Sequence, residues 1–112
     1  MIMVFAGRRN GRCALHVAGH AGCALQGQDI VCAGVSALVD CLAASLYAFE
    51  LKGVHTDLTA GNARLTCAGS GVADVLFYQS VLGLIGLARA YPECIRMRTE
   101  GFFSGDHKGG TM

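Results

Sequence analysis

MIMVFAGRRNGRCALHVAGH, residues Met1 to His20, holds two short apolar or alternating runs, Ile2 to Arg8 and Cys13 to His20, on either side of Arg9-Asn10-Gly11-Arg12. Asn-Gly supplies the two positive φ angles that a tight hairpin turn requires, so the stretch reads as a pair of antiparallel strands. The pattern returns downstream, where Val54 to Ala60 and Ala63 to Ala68 alternate around Gly61-Asn62. Each hairpin is followed by a long apolar run. After the first, Asp29 precedes Ile30 to Leu51, rich in Ala, Leu and Val with only Asp40 and Glu50 charged, and Lys52-Gly53 are helix-stop residues. After the second, Gly69-Ser70-Gly71 opens a helical run from Val72 to Tyr91, with Asp74 in its first turn and Arg89 in its last, each matched to the helix dipole. Pro92 marks the exit. Ile95 and Met97 then alternate with Arg96, Arg98 and Glu100, the two-residue period of a strand with one wet face.

The order ββαββαβ and the short turns predict an α+β fold, an antiparallel sheet of about five strands with two long helices packed on one side. At 112 residues and 53% hydrophobic the chain can bury one core without disulfides or metals. Residues 1–101 are expected to form that domain and residues 102–112 a flexible Gly-rich tail. Two helices apolar on most faces exceed what one side of such a sheet can cover. A self-association surface is therefore predicted, with Gly83 and Gly86 permitting close backbone approach. Asp40 and Asp74 interrupt the apolar runs, so no membrane partner is expected.

Nine Lys or Arg against eight Asp or Glu leave a net charge of +1, too even for the footprint of a protein that wraps nucleic acid, and no direct nucleic-acid contact is expected. The amino terminus lacks the pattern of a secretory signal, which predicts a cytoplasmic protein. Six cysteines without an export signal read as thiols. No CxxC pair occurs, so neither a metal site nor another cofactor is expected.

Chemistry gathers in Gly19 to Leu38. Asp29 is a favoured N-cap residue, and with it as cap Cys32 is the third helical residue, in the first turn. Unpaired backbone N–H groups and the positive end of the helix dipole favour a thiolate over a thiol at such a position. His20 ends the second strand, and the segment Ala21 to Gln28 is long enough to bring the helix start back beside it. An imidazole there would take the thiol proton and return it to a leaving amine, with the N–H groups of Cys32 and Ala33 as candidate oxyanion donors. The blander account is that cysteine is among the most commonly buried residues and a strand-end histidine is commonly a surface group. Cys23 has a similar claim to exposure but no helix terminus behind it, and Cys13, Cys41, Cys67 and Cys94 read as packing residues. Ser36, one turn after Cys32, is a candidate supporting group, with helix packing as its alternative. Asp29 is another, though its first duty is the cap. Asp40 lies about 12 Å along the helix from Cys32, too far to orient His20. His16 reads as a polar residue on the wet side of its hairpin. With Gly22 and Gly27 near its ends and Cys23 between them, Ala21 to Gln28 has the hinges and weak packing of a mobile lid over a substrate.

Gly19-His20-Ala21-Gly22 together with Asp29-Ile30-Val31-Cys32-Ala33-Gly34-Val35-Ser36-Ala37-Leu38, at this separation, resembles the ribosomal-processing cysteine protease family called Prp. The likeness extends to chain length and element order, up to about Gly101. It implies an endopeptidase that removes an N-terminal extension from a bacterial large-subunit ribosomal protein precursor. It also implies His20 and Cys32 as the catalytic pair, a homodimer, and a loop at Ala21 to Gln28 that adjusts around the peptide. The substrates it implies carry aromatic residues before the cut and a small residue, then lysines, after it. Cys23 stands where the family frequently has an aromatic residue, and the tail Gly105 to Gly110 matches no family motif. The alternative is a non-enzymatic ribosome-associated or peptide-binding module using the same cleft; a redox or metal-binding thiol protein ranks third.

Overall fold

Asn10 and Gly11 have φ of 53° and 73°, the pair of left-handed residues that closes a two-residue hairpin. They join β1 (Ile2–Arg9) to β2 (Arg12–Gly19) in the register Arg9↔Arg12 to Ile2↔Gly19. The structure is a computed structural model that describes residues 1–20 and 28–103, with side chains in the second segment from Ile30 onward. Its further elements are α1 (Gln28–Ala48), β3 (His55–Thr59), β4 (Asn62–Ala68), α2 (Gly71–Ala90) and β5 (Ile95–Glu100). The predicted α+β order ββαββαβ is present, and the described strands form one sheet in the order β3-β4-β2-β1-β5.

The sheet is mixed rather than antiparallel. Tight turns force β1/β2 and β3/β4 to run antiparallel, and β2 pairs β4 the same way, but β5 lies parallel to β1. Helix α2 is the crossover that makes this possible, because a connection of a dozen or more residues can return the chain to the end from which it started.

Strand alternation puts Ile2, Val4, Ala6, Cys13, Leu15, Val17, Leu65, Cys67, Ile95 and Met97 on one buried face. Both helices lie on it through Val31, Val35, Val39, Leu42 and Leu46 of α1 and Ala73, Phe77, Val81, Leu84 and Ala88 of α2. By length and composition both helices could cross a membrane, yet these faces serve the sheet. Gly83 is used inside the chain: a Cβ there would come within 2.8 Å of Leu38 of α1. Of the two predicted contact glycines, only Gly86 faces open space.

Helix boundaries differ from expectation at both ends of α1. Asp29 is the second helical residue instead of the cap. The end comes at Ala48, before Lys52-Gly53, because Glu50 takes a left-handed φ of 52°. The Leu51 N–H then bonds the Leu46 carbonyl at 3.1 Å and the Glu50 N–H bonds that of Tyr47 at 3.0 Å, the paired bonds of a Schellman ending. At α2 the Ser70 hydroxyl caps the helix by accepting from the Ala73 N–H at 3.1 Å. Phe102 and Phe103, expected in the tail, pack against the core, and the Phe103 ring lies 4.9 Å from that of Tyr78. Residues 104–112 lie outside the described residues. Cys13, Cys32, Cys41 and Cys67 are free thiols, but Cys94 is disulfide-bonded, so the all-thiol expectation fails there.

Arg8 of β1 donates to Asp74 of α2 through Nε at 2.8 Å and a second nitrogen at 3.4 Å, and the buried Cys13 thiol donates to the same carboxylate at 3.2 Å. The Arg8 hydrogen bond holds the Asp74 carboxyl below its ordinary 3.8. Burial, with Asp74 alongside, pushes the Cys13 thiol up to about 12. A carboxyl with a lowered folded pKa contributes stability present above 3.8 and lost as pH falls through the folded value. A thiol with a raised pKa does the reverse: stability holds below 9.0 and declines toward about 12 as the unfolded thiol ionises first. Urea midpoints measured against pH should therefore fall at both extremes. Asp74→Asn should flatten the acid limb and Cys13→Ala the alkaline one. The acid effect is modest, since the Asp74 side chain is 45% exposed and screened.

Candidate active site

Where β2 ends, Gly19 turns the chain with φ of 95°, and a Cβ at that position would collide with the Met1 carbonyl oxygen. The Gly19 N–H donates to the Gly61 carbonyl at 2.9 Å, tying the strand end to the β3–β4 turn. The Met1 ammonium donates to the His20 carbonyl at 2.6 Å. His20 is thereby held at the surface with its ring against Gly61. A Cβ on Gly61 would come within 2.9 Å of both Cε1 and Nε2, and Gly61 itself has φ of 75°. The left-handed backbone favours glycine there, and the imidazole leaves no room for a Cβ.

The ring borders a cleft of about 330 Å³ between α1 and the β3–β4 hairpin. Buried Ile2, Val17, Val35 and Val39 make its apolar floor, and Leu58 to Ala63 line the hairpin side. On the helix side Cys32, Ser36 and Asp40 follow one another at one-turn intervals. The structure thus brings His20, Cys32 and Ser36 to one cleft, as the sequence predicts, and adds Asp40 at the far end, two turns beyond Cys32. Asp40 is the one carboxylate among the described residues lining the cleft, and no described Lys or Arg lines it.

Cys32 is also set apart from the other free thiols. Cys13 and Cys67 are fully buried on paired strands, and burial raises the pKa of both, which keeps them protonated and inert. Cys41 is exposed on α1 but does not line the cleft. Among the described free cysteines, Cys32 alone faces it.

The family model of the cysteine protease Prp matches residues 1–96. The chain belongs to the cysteine protease Prp family. Among solved structures similar to this Prp family member, SMU.848 from Streptococcus mutans is 27% identical, with a TM-score of 0.70 over 89% of this chain and 94% of its own. The essential ribosomal processing protease Prp of S. aureus, solved with a substrate peptide, is 21% identical with a TM-score of 0.74 over 88% and 99% of the two chains. Its complex with a covalently linked product peptide gives 23% and 0.70. At those identities the S. aureus likeness speaks for the fold. No curated protein matches the chain.

One expectation for this Prp site changes. Because α1 already starts at Gln28, Cys32 lies in the second turn, and the intrahelical ladder directs its N–H to Gln28 and that of Ala33 to Asp29. Ala33 is not among the lining residues. The lid reading of Ala21 to Gln28, with Gly22, Cys23 and Gly27, falls on 21–27, outside the described residues. His16 is confirmed on the helix-free face, its Nε2 2.8 Å from Asn62 Oδ1. The hairpin side of the cleft had no signal in the sequence beyond its turn glycine, because it reaches His20 only through the β2–β4 pairing Ala18↔Asn62.

Proposed function

We propose that the chain is a cysteine endopeptidase that removes the N-terminal extension of a bacterial large-subunit ribosomal protein precursor, with Cys32 as nucleophile and His20 as its base. The observation that carries this reading is the free Cys32 thiol facing the cleft that His20 borders, in a chain of the Prp family. His20 takes the thiol proton as Cys32 Sγ attacks the scissile carbonyl carbon. The tetrahedral intermediate collapses by breaking the C–N bond, and His20 returns the proton to the departing amine, leaving a thioester on Cys32. Water, deprotonated by the same imidazole, attacks the thioester and regenerates the thiol. A free thiol close to a helix N-terminus and an imidazole on a separate strand end suit this cycle, because both groups are anchored by backbone and neither depends on a cofactor.

The experiment is incubation of a ribosomal protein precursor carrying its extension, followed by intact mass measurement. One cut near the amino terminus is expected, with no cut in a protein lacking the extension. Stable binding without cleavage would favour the peptide-binding module instead. The apolar cleft floor suits the aromatic residues that the family resemblance places before the cut, and Asp40 suits the lysines after it. Asp40→Asn should therefore raise KM about fivefold for a lysine-containing peptide, the worth of one exposed ion pair. An unchanged KM would remove Asp40 from substrate binding.

In this proposal the protein acts in the cytoplasm, where ribosomal proteins are made, and as a homodimer. The dimer is supported by the outward face of α2, where Val75, Tyr78 and Leu82 are exposed around an apolar depression. Light scattering on the purified protein should give twice the chain mass, and Val75→Glu should halve it.

A further inference from the structure

The even net charge conceals a segregation. No described element covers the sheet face opposite the helices, and strand register arranges its side chains in rows. The middle row runs Asp57, Arg64, His16, Phe5 and Arg98 across β3, β4, β2, β1 and β5. Arg96 stands one row away on β5, and Arg9 and Arg12 close the hairpin end. All five arginines are exposed, against two carboxylates on the same face, Asp57 and Glu100. More than half of the chain's nine Lys and Arg thus share one surface, and the remainder of the molecule is net acidic.

We propose that this open sheet face binds single-stranded RNA. All five cations are guanidinium groups, which meet phosphates bidentately and stack on planar rings, and none is a lysine. Arg64 and Arg96 have no partner among the described residues, and the pairs Arg9–Glu100 at 4.0 Å and Arg98–Glu100 at 3.9 Å are exposed and weak. Among the cations lies the Phe5 ring, with one guanidinium already stacked over it. Arg98 sits 5.2 Å from the centroid of the Phe5 ring, which lies over Gly7 where a Cβ would come within 3.0 Å, and His16 is the next residue of the row. Small Gly7 and Ala14 leave a groove of about 280 Å³ lined by Phe5, Arg9, Arg12, Thr66 and Glu100. A strand with phosphates and unstacked bases matches a row in which Arg64 and Arg98 flank His16 and Phe5 on an open sheet face. A duplex keeps its bases stacked inside, and a lipid surface carries none, so neither offers the ring a base to stack upon.

The test uses the full chain and a fluorescently labelled twelve-residue oligouridylate, with anisotropy measured across salt concentrations. Binding is expected, with a log–log salt slope that falls by about 1.4 in Arg64→Ala/Arg98→Ala, two phosphate contacts at roughly 0.7 each. Phe5→Leu, which keeps the bulk, should weaken binding about fivefold with the slope unchanged, since it removes stacking alone. Both variants should cleave a peptide normally, because none of these residues lines the cleft. Absence of binding in wild type, an unchanged slope in the double variant, or equal affinity for an RNA duplex or anionic phosphatidylglycerol vesicles would each overturn the proposal. The proposed peptidase activity stands or falls separately, in the wild-type cleavage assay.

Discussion

Cys32→Ala is expected to lower kcat/KM for peptide cleavage by about 10⁴-fold or more, to the level at which a nucleophile is simply missing. The protein should remain folded. Cys32 is half-buried, lines the cleft and packs only partly against the core, so removing its sulfur costs about 1 kcal/mol, well short of the loss of a fully buried side chain. Cys13→Ala makes the contrast, because that sulfur is fully buried, donates to Asp74, and sits opposite Cys67 in the sheet. Its loss should register in the unfolding midpoint and leave turnover intact in the folded fraction. Cys41→Ala, on α1 but outside the cleft, should affect neither. A Cys32→Ala protein that turns over at near the wild-type rate would sink the thiol mechanism.

What could be read from the sequence and what could not divides along the range of the interactions. The turn at Asn10-Gly11 is legible because the dipeptide itself supplies both positive φ angles. The five strands and two helices follow from periodicity within single segments. The direction of β5 is not legible, since it depends on which strand receives it after α2, and that choice is made by packing. The end of α1 deceives for another reason: Lys52-Gly53 has the right composition, yet a Schellman ending forms one turn earlier on Glu50, a residue that pays for the left-handed φ with two backbone hydrogen bonds. At the site, His20, Cys32 and Ser36 are local to one motif. The other side of the cleft is not, because Leu58 to Ala63 come beside His20 only through a strand pairing more than forty residues apart in the chain. Charge behaves likewise. The composition is neutral in sum, and only the register shows five arginines on one face.

Gly61→Asn should separate two functions of one residue. Asparagine tolerates the left-handed conformation better than other residues with a Cβ, so a φ of 75° costs little and the β3–β4 turn should persist, with the unfolding midpoint near that of wild type. The new Cβ nevertheless falls within 2.9 Å of the His20 Cε1 and Nε2 positions, so the imidazole must swing away. Misplacement of a catalytic group by about 1 Å costs roughly 10²-fold in rate, and a loss of that size in kcat/KM is expected. His20→Ala, which removes the base, should lose more, about 10³-fold. Gly61 would act here as a positioning residue, entirely through His20, and that makes a coupling prediction: the double variant Gly61→Asn/His20→Ala should be no slower than His20→Ala alone. Alkylation of Cys32 by iodoacetamide supplies the readout that a merely structural role would not move. Its rate at neutral pH should fall in both single variants and fall no further in the double one. Additive losses in rate and in alkylation would show that Gly61 serves the turn and not the imidazole, and the anchoring of His20 would then have to come from Gly19 and Met1 alone.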